Sequence, residues 1–473
     1  MESNSGPEML IELNRAAAAS LRSQLEDGLR EAVRTGRLPA HSRVPATRTL
    51  AGDLGVSRRL VVDAYAQLLA EGYLIARRGA GTFVADGAAV ASAPTAEPPS
   101  RALNFDFFPG NPDLATFPRQ AWLRALRATL RSAPDRAFGY PHPRGAVELR
   151  RALADHLRRV RGVVADPESI VICAGAAQGF FLLARTLAGS CMAVEDPWLP
   201  LHRMILASQG GTLVPLAVDD DGARVQDLGA MAERHGPIAA VLVTPAHQSP
   251  TGVALASPRR AALLAWAADS ERLIVEDDYD AEYRYDRAPL GALQGLAPDR
   301  VIYMGTVSKT LGPALRLGWM VLPARLRDTV VGHKLLCDHG LPTIDQLALA
   351  QLLESGSYDR HLRQARRRYR SRRDALVEAV ARHLPGARVE GLAAGLHATV
   401  LLGDEVDGIG IVQAAARHSV GVYPLGYSYM EPQQKHRGLV LGYANLAEPA
   451  IEEGIRRLAL ALTELGGGGA IAK

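Results

Sequence analysis

The chain is predicted to be an α/β protein of two unequal domains, the larger built on a mostly parallel sheet. Three observations predict this. Its 473 residues exceed what one ordinary hydrophobic core organises. The stretch "DGAAVASAPTAEPPSRA" (86–102) is rich in Ala, Pro and Ser and has no periodic apolar face, which marks a flexible linker. Beyond it, short apolar runs alternate with helical segments, as strands buried on both faces and joined by crossover helices do. The expected division is a domain over 9–85, a linker over 86–104 and a domain over 105–465.

Composition narrows the class. The chain is 48% hydrophobic and 22% charged, ordinary for a globular protein. Cys173, Cys191 and Cys337 form neither a metal spacing nor a disulfide framework, which suits a reducing cytoplasm. Cys173, in "SIVICAG", reads as a buried strand residue. "MESNSGPEML" has no signal-peptide pattern, no apolar run is long enough to cross a membrane, and no metal site is expected. Net charge is only +4, yet between Arg37 and Val84 seven arginines face three acids, so the whole excess lies in one short segment. A local basic surplus needs a motif beside it before it points to nucleic acid.

The motif is there. "TRTLAGDLG" predicts a short helix closed by Gly55. "VS" is a turn in which Ser57 caps the next helix. "RRLVVDAYAQLLAEG" is amphipathic, with Val61, Tyr65, Leu68 and Leu69 on one face. Two strands, "YLIAR" and "GTFVA", flank "RGAG". This order describes a winged helix-turn-helix, in which the first residues of the second helix reach base edges. Arg58 and Arg59 stand there, and arginine bridges two acceptors on guanine. Arg77 and Arg78 at the hairpin tip offer charge to phosphates. From Leu10 to Ala85 the chain resembles the GntR family of regulators, on the words "LREAVRTGRLPAHSRVPATRTLAGDLGVSR", "AYAQLLAEGYL" and "GAGTFV". By that resemblance Arg48, Ser57, Arg58, Arg59 and Gly81 contact double-stranded DNA. The family often has threonine where this chain has Leu60.

The larger part has "SIVICAG", "CMAVEDP", "IAAVLVTPAH", "RLIVEDDYD" and "RVIYMGTVSK" as strands, with helices such as "AAQGFFLLARTLA" and "SPRRAALLAWAAD" between them. Ligands of such sheets gather at the carboxyl ends of the strands, and Asp277, Tyr279, His247, Gln248, Thr306 and Lys309 lie there. Lysine is rare in this chain: only Lys309, Lys334, Lys435 and Lys473, against fifty arginines. Arginine stays protonated, whereas a lysine amine of lowered pKa attacks aldehydes. A pyridoxal-phosphate site also requires an acid at the ring nitrogen, a donor to the ring oxygen and anion donors for the phosphate. Asp277, Tyr279, and the set Thr306, Ser308 and Arg316 supply one candidate each, and "CAGAAQGFF" places backbone N–H groups at a helix N-terminus. Taken singly, "EDDYD" also suits an exposed acidic loop or a metal site, "GAAQG" an ordinary turn, and Thr306 and Ser308 a helix cap.

From about Phe105 to Leu465 the chain resembles fold-type I aminotransferases, on "GYPHPRGAVELRRALADHL", "TPAHQSPTGVAL", "EDDYDAEYRYDRAPLGALQ" and "GTVSKTLGPALRLGWMVLP". Joined to a GntR-like head, it is similar to the MocR/PdxR group of regulators. The resemblance implies pyridoxal 5'-phosphate as cofactor, Lys309 as Schiff-base residue, Asp277 at the ring nitrogen and Tyr279 at the ring oxygen. It puts Arg316, Thr306, Ser308, Ala176 and Ala177 at the phosphate, and Tyr140 where a neighbouring subunit touches that phosphate. It also implies a head-to-tail homodimer.

Two positions depart from the pattern. Where relatives have "EDPGY", with an aromatic ring on the cofactor, "EDPWLP" puts Leu199 at that place and Trp198 one earlier. Where a carboxylate-binding arginine is common, "LVLGYANLAEP" offers Asn445, and Arg437 does not align there. The resulting expectation is a cytoplasmic transcription regulator that senses pyridoxal phosphate and controls vitamin B6 synthesis genes. The alternatives are a regulator sensing an amine or amino acid through an external aldimine, a working aminotransferase tethered to DNA, and a DNA-binding protein with an inert dimerisation domain. The missing arginine counts against strong turnover of α-amino acids.

Overall fold

A computed structural model describes residues 13–86, 103–285, 290–433 and 435–465. The chain separates into two compact units, Met1–Arg101 and Ala102–Lys473. The expected linker, 86–104, lies outside the described residues except for 86, 103 and 104.

In the first unit three helices, α1 (Leu21–Arg34), α2 (Thr47–Asp53) and α3 (Arg58–Ala70), precede an antiparallel hairpin of β1 (Leu74–Arg77) and β2 (Gly81–Val84). Leu25, Leu29 and Val33 of α1 meet Leu50 of α2, Val61, Ala64, Tyr65 and Leu68 of α3, and Leu74 and Val84 of the hairpin in one core. The spacing of these residues within each helix follows the 3.6-residue period. Ala64 shares the buried face that the sequence assigned to Leu69, which is only half-buried. Tyr65 donates to the Pro45 carbonyl at 2.9 Å, tying α3 to the segment before α2.

The second unit opens with β3 (Phe105–Asp106), α4 (Arg119–Ser132) and α5 (Val147–Arg161). There follow β4 (Ile170–Cys173), α6 (Ala176–Thr186), β5 (Cys191–Asp196), α7 (Pro200–Ala207), β6 (Thr212–Asp219), β7 (Gly222–Ala223) and α8 (Leu228–His235). Then come β8 (Ile238–Val243), α9 (Ser257–Ala268), β9 (Leu273–Asp278), β10 (Val301–Thr306), β11 (Gly318–Val321) and α10 (Ala324–Asp338). The C-terminal portion adds α11 (Thr343–Glu354), α12 (Ser357–His383), β12 (Arg388–Glu390), β13 (His397–Asp407), α13 (Gly408–Arg417), β14 (Val420–Gly421), β15 (Tyr423–Pro424), β16 (Lys435–Gly442) and α14 (Glu448–Glu464).

Eight strands form the large sheet in the order β4-β11-β10-β9-β8-β5-β6-β7. Neighbours from β10 through β6 are parallel, while β11 and β7 run antiparallel to theirs. The sheet is buried on both faces, which explains runs such as "IVIC" and "VIYMGT". Along β4, Val171 and Cys173 pack toward Phe180 and Leu183 of α6. Ile170 and Ile172 point the other way, to Leu153 and Leu157 of α5 and Leu349 of α11. A smaller antiparallel sheet, β12-β13-β16-β15, packs with α12, α13 and α14. Because β4, β8, β9 and β10 are parallel members of one sheet, their carboxyl ends share an edge, and the polar residues after each strand meet there.

Candidate functional site

The centre of that edge is Lys309, three residues past β10. Its amine sits beside Gly110, where a β-carbon would stand 2.8 Å from Nζ and whose φ of +83° favours glycine. Burial holds the Lys309 amine below the ordinary lysine range, against the pull of Asp280 and Asp277 toward the charged form. That direction favours a nucleophilic amine.

Asp277 and Asp278 close β9 and, being consecutive strand residues, face opposite sides. Asp278 turns to the α5 side, 2.7 Å from Arg161 Nε and 2.7 Å from the Tyr303 hydroxyl. Asp277 turns to the site, is 4% exposed, and its carboxyl has no hydrogen-bond partner among the described residues. Burial, then the like charges of Asp278, Asp280 and Glu195, push it up to about 8, with Lys309 acting the other way. A buried acid without a donor of its own fits a cationic N–H brought by a ligand.

Tyr279 follows. Its hydroxyl lies 3.1 Å from His247 Nδ1, an atom also 3.0 Å from Asp280 Oδ2. Burial drives the Tyr279 phenol well above its ordinary range. Gln248, next to His247, turns away to Glu195, the Pro197 carbonyl and the Ser249 carbonyl.

An anion cradle closes the other end. Gly175 caps α6 at φ +76° with no side-chain cap, so the N–H groups of Ala176 and Ala177 in the first turn lack intrahelical acceptors. Arg316 is left-handed, φ +49°, and its Nη2 reaches back to the Ala174 carbonyl at 2.7 Å. A β-carbon on Gly175 would stand 3.1 Å from that guanidinium. Ser308 N–H donates to Thr306 Oγ1 at 3.1 Å, and the Thr306 hydroxyl also lies 2.9 Å from Ser308 Oγ and 3.2 Å from the Leu317 carbonyl. Thr306 is therefore largely occupied in shaping the turn. Gln178 accepts from Ala174 N–H at 2.7 Å and donates to Asp338 at 2.8 Å, and Asp338 pairs with buried Lys334 at 2.5 Å. This strut behind the cradle was not legible in the sequence, because its members lie about 160 residues apart.

Other expected residues fall elsewhere. Tyr140 is 97% exposed, and the fold of its own chain does not bring it to Lys309. Trp198 is fully buried, its ring edge-on to Phe180 at 5.3 Å and tilted to His202 at 5.5 Å. It belongs to the core and is not swung toward the site. Leu199 caps α7. His202, one turn on, was missed: burial and then the Lys309 charge push it down to about 4. Asn445 donates to the Asp106 carbonyl at 2.9 Å, while Arg437 is exposed.

In the first unit, Ser57 accepts from Leu60 N–H at 3.2 Å and caps α3. Arg58 and Arg59 project from its first turn, and Arg48 from that of α2; all three are exposed. With Arg78, they make no side-chain ion pair or hydrogen bond among the described residues. Arg77 lies over the Phe83 ring at 4.9 Å. Gly81, at φ +115°, is covered by Arg43: a β-carbon would stand 3.0 Å from Arg43 Nε. Arg43 thus adds a guanidinium to the wing, and Arg15 Nη2 caps the helix-turn-helix turn at the Gly55 carbonyl, 2.6 Å away. Neither was singled out from sequence, since each acts through a long side chain reaching across the unit.

Two family models match. Bacterial regulatory proteins of the gntR family cover residues 21–84, and aminotransferase class I and II covers 109–431. Among solved structures, the chain resembles a Pyrococcus horikoshii kynurenine aminotransferase in complex with PMP (27% identity, TM-score 0.72, covering 77% of this chain and 92% of that one). It also resembles the α-aminoadipate aminotransferase LysN of Thermus thermophilus, complexed with N-(5'-phosphopyridoxyl)-L-leucine (26%, TM-score 0.71, 78% and 94%). The class is thus a GntR-type DNA-binding domain joined to an aminotransferase-class domain. At full length the chain is 35% identical to the probable rhizopine catabolism regulatory protein MocR of Rhizobium meliloti, over 98% of each. It is also 35% identical to the pyridoxine biosynthesis transcriptional regulator PdxR of Corynebacterium glutamicum, over 93% of this chain and 96% of that one. The chain belongs to the MocR/PdxR-type transcriptional regulators.

Proposed function

We propose that the large unit binds pyridoxal 5'-phosphate at Lys309, and that the protein is a cytoplasmic homodimeric regulator whose operator binding responds to that cofactor and controls vitamin B6 synthesis genes. The bound group supplies an aldehyde carbon and an electron-accepting ring. Lys309 supplies the amine, Asp277 holds the ring nitrogen's proton, Tyr279 addresses the ring oxygen, and Ser308, Arg316 and the first turn of α6 hold the phosphate. Tyr140, exposed on its own chain, reaches the phosphate of a second copy packed head to tail. Arg48, Ser57, Arg58, Arg59, Arg77 and Arg78 face the duplex, with Gly81 beneath Arg43.

Identity does not choose the effector, because relatives named for rhizopine catabolism and for pyridoxine biosynthesis are equally similar. Asn445 carries the choice. Its amide is engaged with the Asp106 carbonyl, and asparagine cannot make the charged bidentate bond with which arginine holds a substrate carboxylate. The cofactor itself is then the effector. Operator binding, titrated with pyridoxal phosphate alone and then with single amino acids, tests this. Pyridoxal phosphate alone is expected to change the affinity, and Lys309→Ala to abolish both that response and the borohydride-trapped adduct. A response that appears only with an amino compound would assign the site to an amine sensor.

A further inference from the structure

Behind the anion cradle lies a charged pair that none of the contacts assigned to the cofactor uses. Lys334, one of four lysines in the chain, is 0% exposed and donates to Asp338, one turn on along α10. The same carboxylate oxygen, Asp338 Oδ2, accepts from Gln178 Nε2 at 2.8 Å, and Oδ1 accepts from the Gly340 N–H at 2.7 Å. Burial pushes the Asp338 carboxyl up, but Lys334, Gln178 and Gly340 together hold it below its ordinary range. It is an ionised acceptor with three donors.

This carboxylate fixes the amide of Gln178. A carboxylate cannot donate and a backbone N–H cannot accept. The Nε2 end must then face Asp338, and the Oε1 end must face the Ala174 N–H, which it meets at 2.7 Å; a flipped amide would break both bonds. Ala174 is thus held at both of its backbone polar groups, the N–H by Gln178 and the carbonyl by Arg316 Nη2 at 2.7 Å. After it comes the joint of the cradle, Gly175, where the chain turns into α6 at φ +76°. One turn into the helix, a β-carbon on Gly179 would stand 2.6 Å from Met304 of β10, so the helix body is seated on the sheet. Between the end of β4 and that seated helix, Ala174 and Gly175 are the residues left to be fixed.

We propose that Gln178, Asp338 and Lys334 are positioning residues that set the affinity of the site for a phosphate, by holding Ala174 so that Arg316 and the N–H groups of Ala176 and Ala177 converge on one anion. The proposal rests on the pyridoxal-phosphate reading above. Lys334 keeps Asp338 ionised, Asp338 orients Gln178, and Gln178 holds Ala174, whose carbonyl in turn anchors Arg316. Without the charged pair the Gln178 amide is free to turn, the Ala174 N–H loses its acceptor, and the carbonyl under Arg316 is no longer fixed. The effect falls on the phosphate, because Asp277, Tyr279 and Lys309 stand at the ends of other strands, β9 and β10. A strut that only supported the fold would lower stability without singling out the phosphate.

The test compares pyridoxal phosphate with pyridoxal, which has the same ring and aldehyde but no phosphate, in binding to the full chain, with borohydride trapping at Lys309 recorded for each. Gln178→Met cuts the link and leaves the Lys334–Asp338 pair intact. Lys334→Met combined with Asp338→Leu removes both charges together, so neither is left buried alone. Each is expected to weaken pyridoxal phosphate about tenfold, the size of loss seen when a residue behind a ligand-holding group is removed, and to leave pyridoxal affinity unchanged. All three substitutions together should lose little more than either set alone. Unchanged affinity for pyridoxal phosphate would overturn the proposal, and so would an equal loss for both aldehydes or full additivity. Amide hydrogen exchange of the wild-type chain without cofactor needs no variant to fold. The Ala174 N–H is expected to exchange slowly, and exchange as fast as that of an exposed loop would refute the link to Gln178. Absence of trapping by either aldehyde in the wild type would instead overturn the cofactor reading beneath it.

Discussion

Asp277 and Asp278 are adjacent in sequence but in unlike environments. Asp278 is neutralised by Arg161, whereas Asp277 waits without a donor and is pushed up to about 8 from an ordinary 3.8. The sign of its effect on stability follows. Between those values the folded chain keeps a proton that the unfolded chain has released, so stability falls as pH rises through the window. Glu195 and Glu276, each raised to about 7 by burial, act in the same direction. Asp277→Asn is therefore expected to lose less stability than the wild type between about pH 5 and about pH 8, by about 1–3 kcal/mol, in denaturant titrations without cofactor. Equal losses in the two proteins would show that Asp277 is not held protonated. Adding cofactor should flatten the wild-type curve as the Asn variant does.

Two helix N-termini show how elements divide the work. The first turn of α3 is closed by Ser57, so this helix satisfies one of its own donors and presents Arg58 and Arg59 as free heads. The first turn of α6 begins at Gly175 without a cap, leaving N–H groups for an anion. Capped and uncapped ends suit different partners: base edges read by side chains, and phosphate held by backbone. Replacing Arg58 and Arg59 together by alanine should weaken operator binding by about 1–3 kcal/mol for each base edge no longer read, with no change in the absorption spectrum of the cofactor-loaded protein. Unchanged operator affinity would place the recognition surface elsewhere. The α3 face and the Ser57 cap were legible because capping and helical period are local. The wing was only partly legible: Arg43 reaches Gly81 through a bridge between Arg43 and Phe83, which joins segments forty residues apart.

For the molecule as a whole, the proposed response of operator binding to cofactor is a coupling free energy. If pyridoxal phosphate changes operator affinity by some factor, operator DNA must change cofactor affinity by the same factor. Cofactor titrations with and without operator duplex should give the factor found in operator titrations with and without cofactor. A cofactor affinity indifferent to operator would mean that the two units do not communicate. At this scale, little beyond the division into units was legible. Strand runs and their crossover helices stood out because both faces of the sheet are apolar. The antiparallel placement of β11 between β4 and β10 had no local signal.

The sequence by itself determined the two-unit organisation, the winged hairpin, the parallel-sheet class and the rare lysine after a buried strand. Each depends on short-range chemistry: periodicity, caps, glycine stops, and the difference between an amine and a guanidinium. Only the tertiary structure decided that Asp278 turns away to Arg161, that Trp198 is core, and that His202 feels the Lys309 charge. The same holds for the meeting of His247 Nδ1 with both Asp280 and Tyr279. These depend on which strand ends lie side by side and on the charges that burial brings together. Direction and distance between remote residues are set by packing, and a linear chain carries no local mark of them.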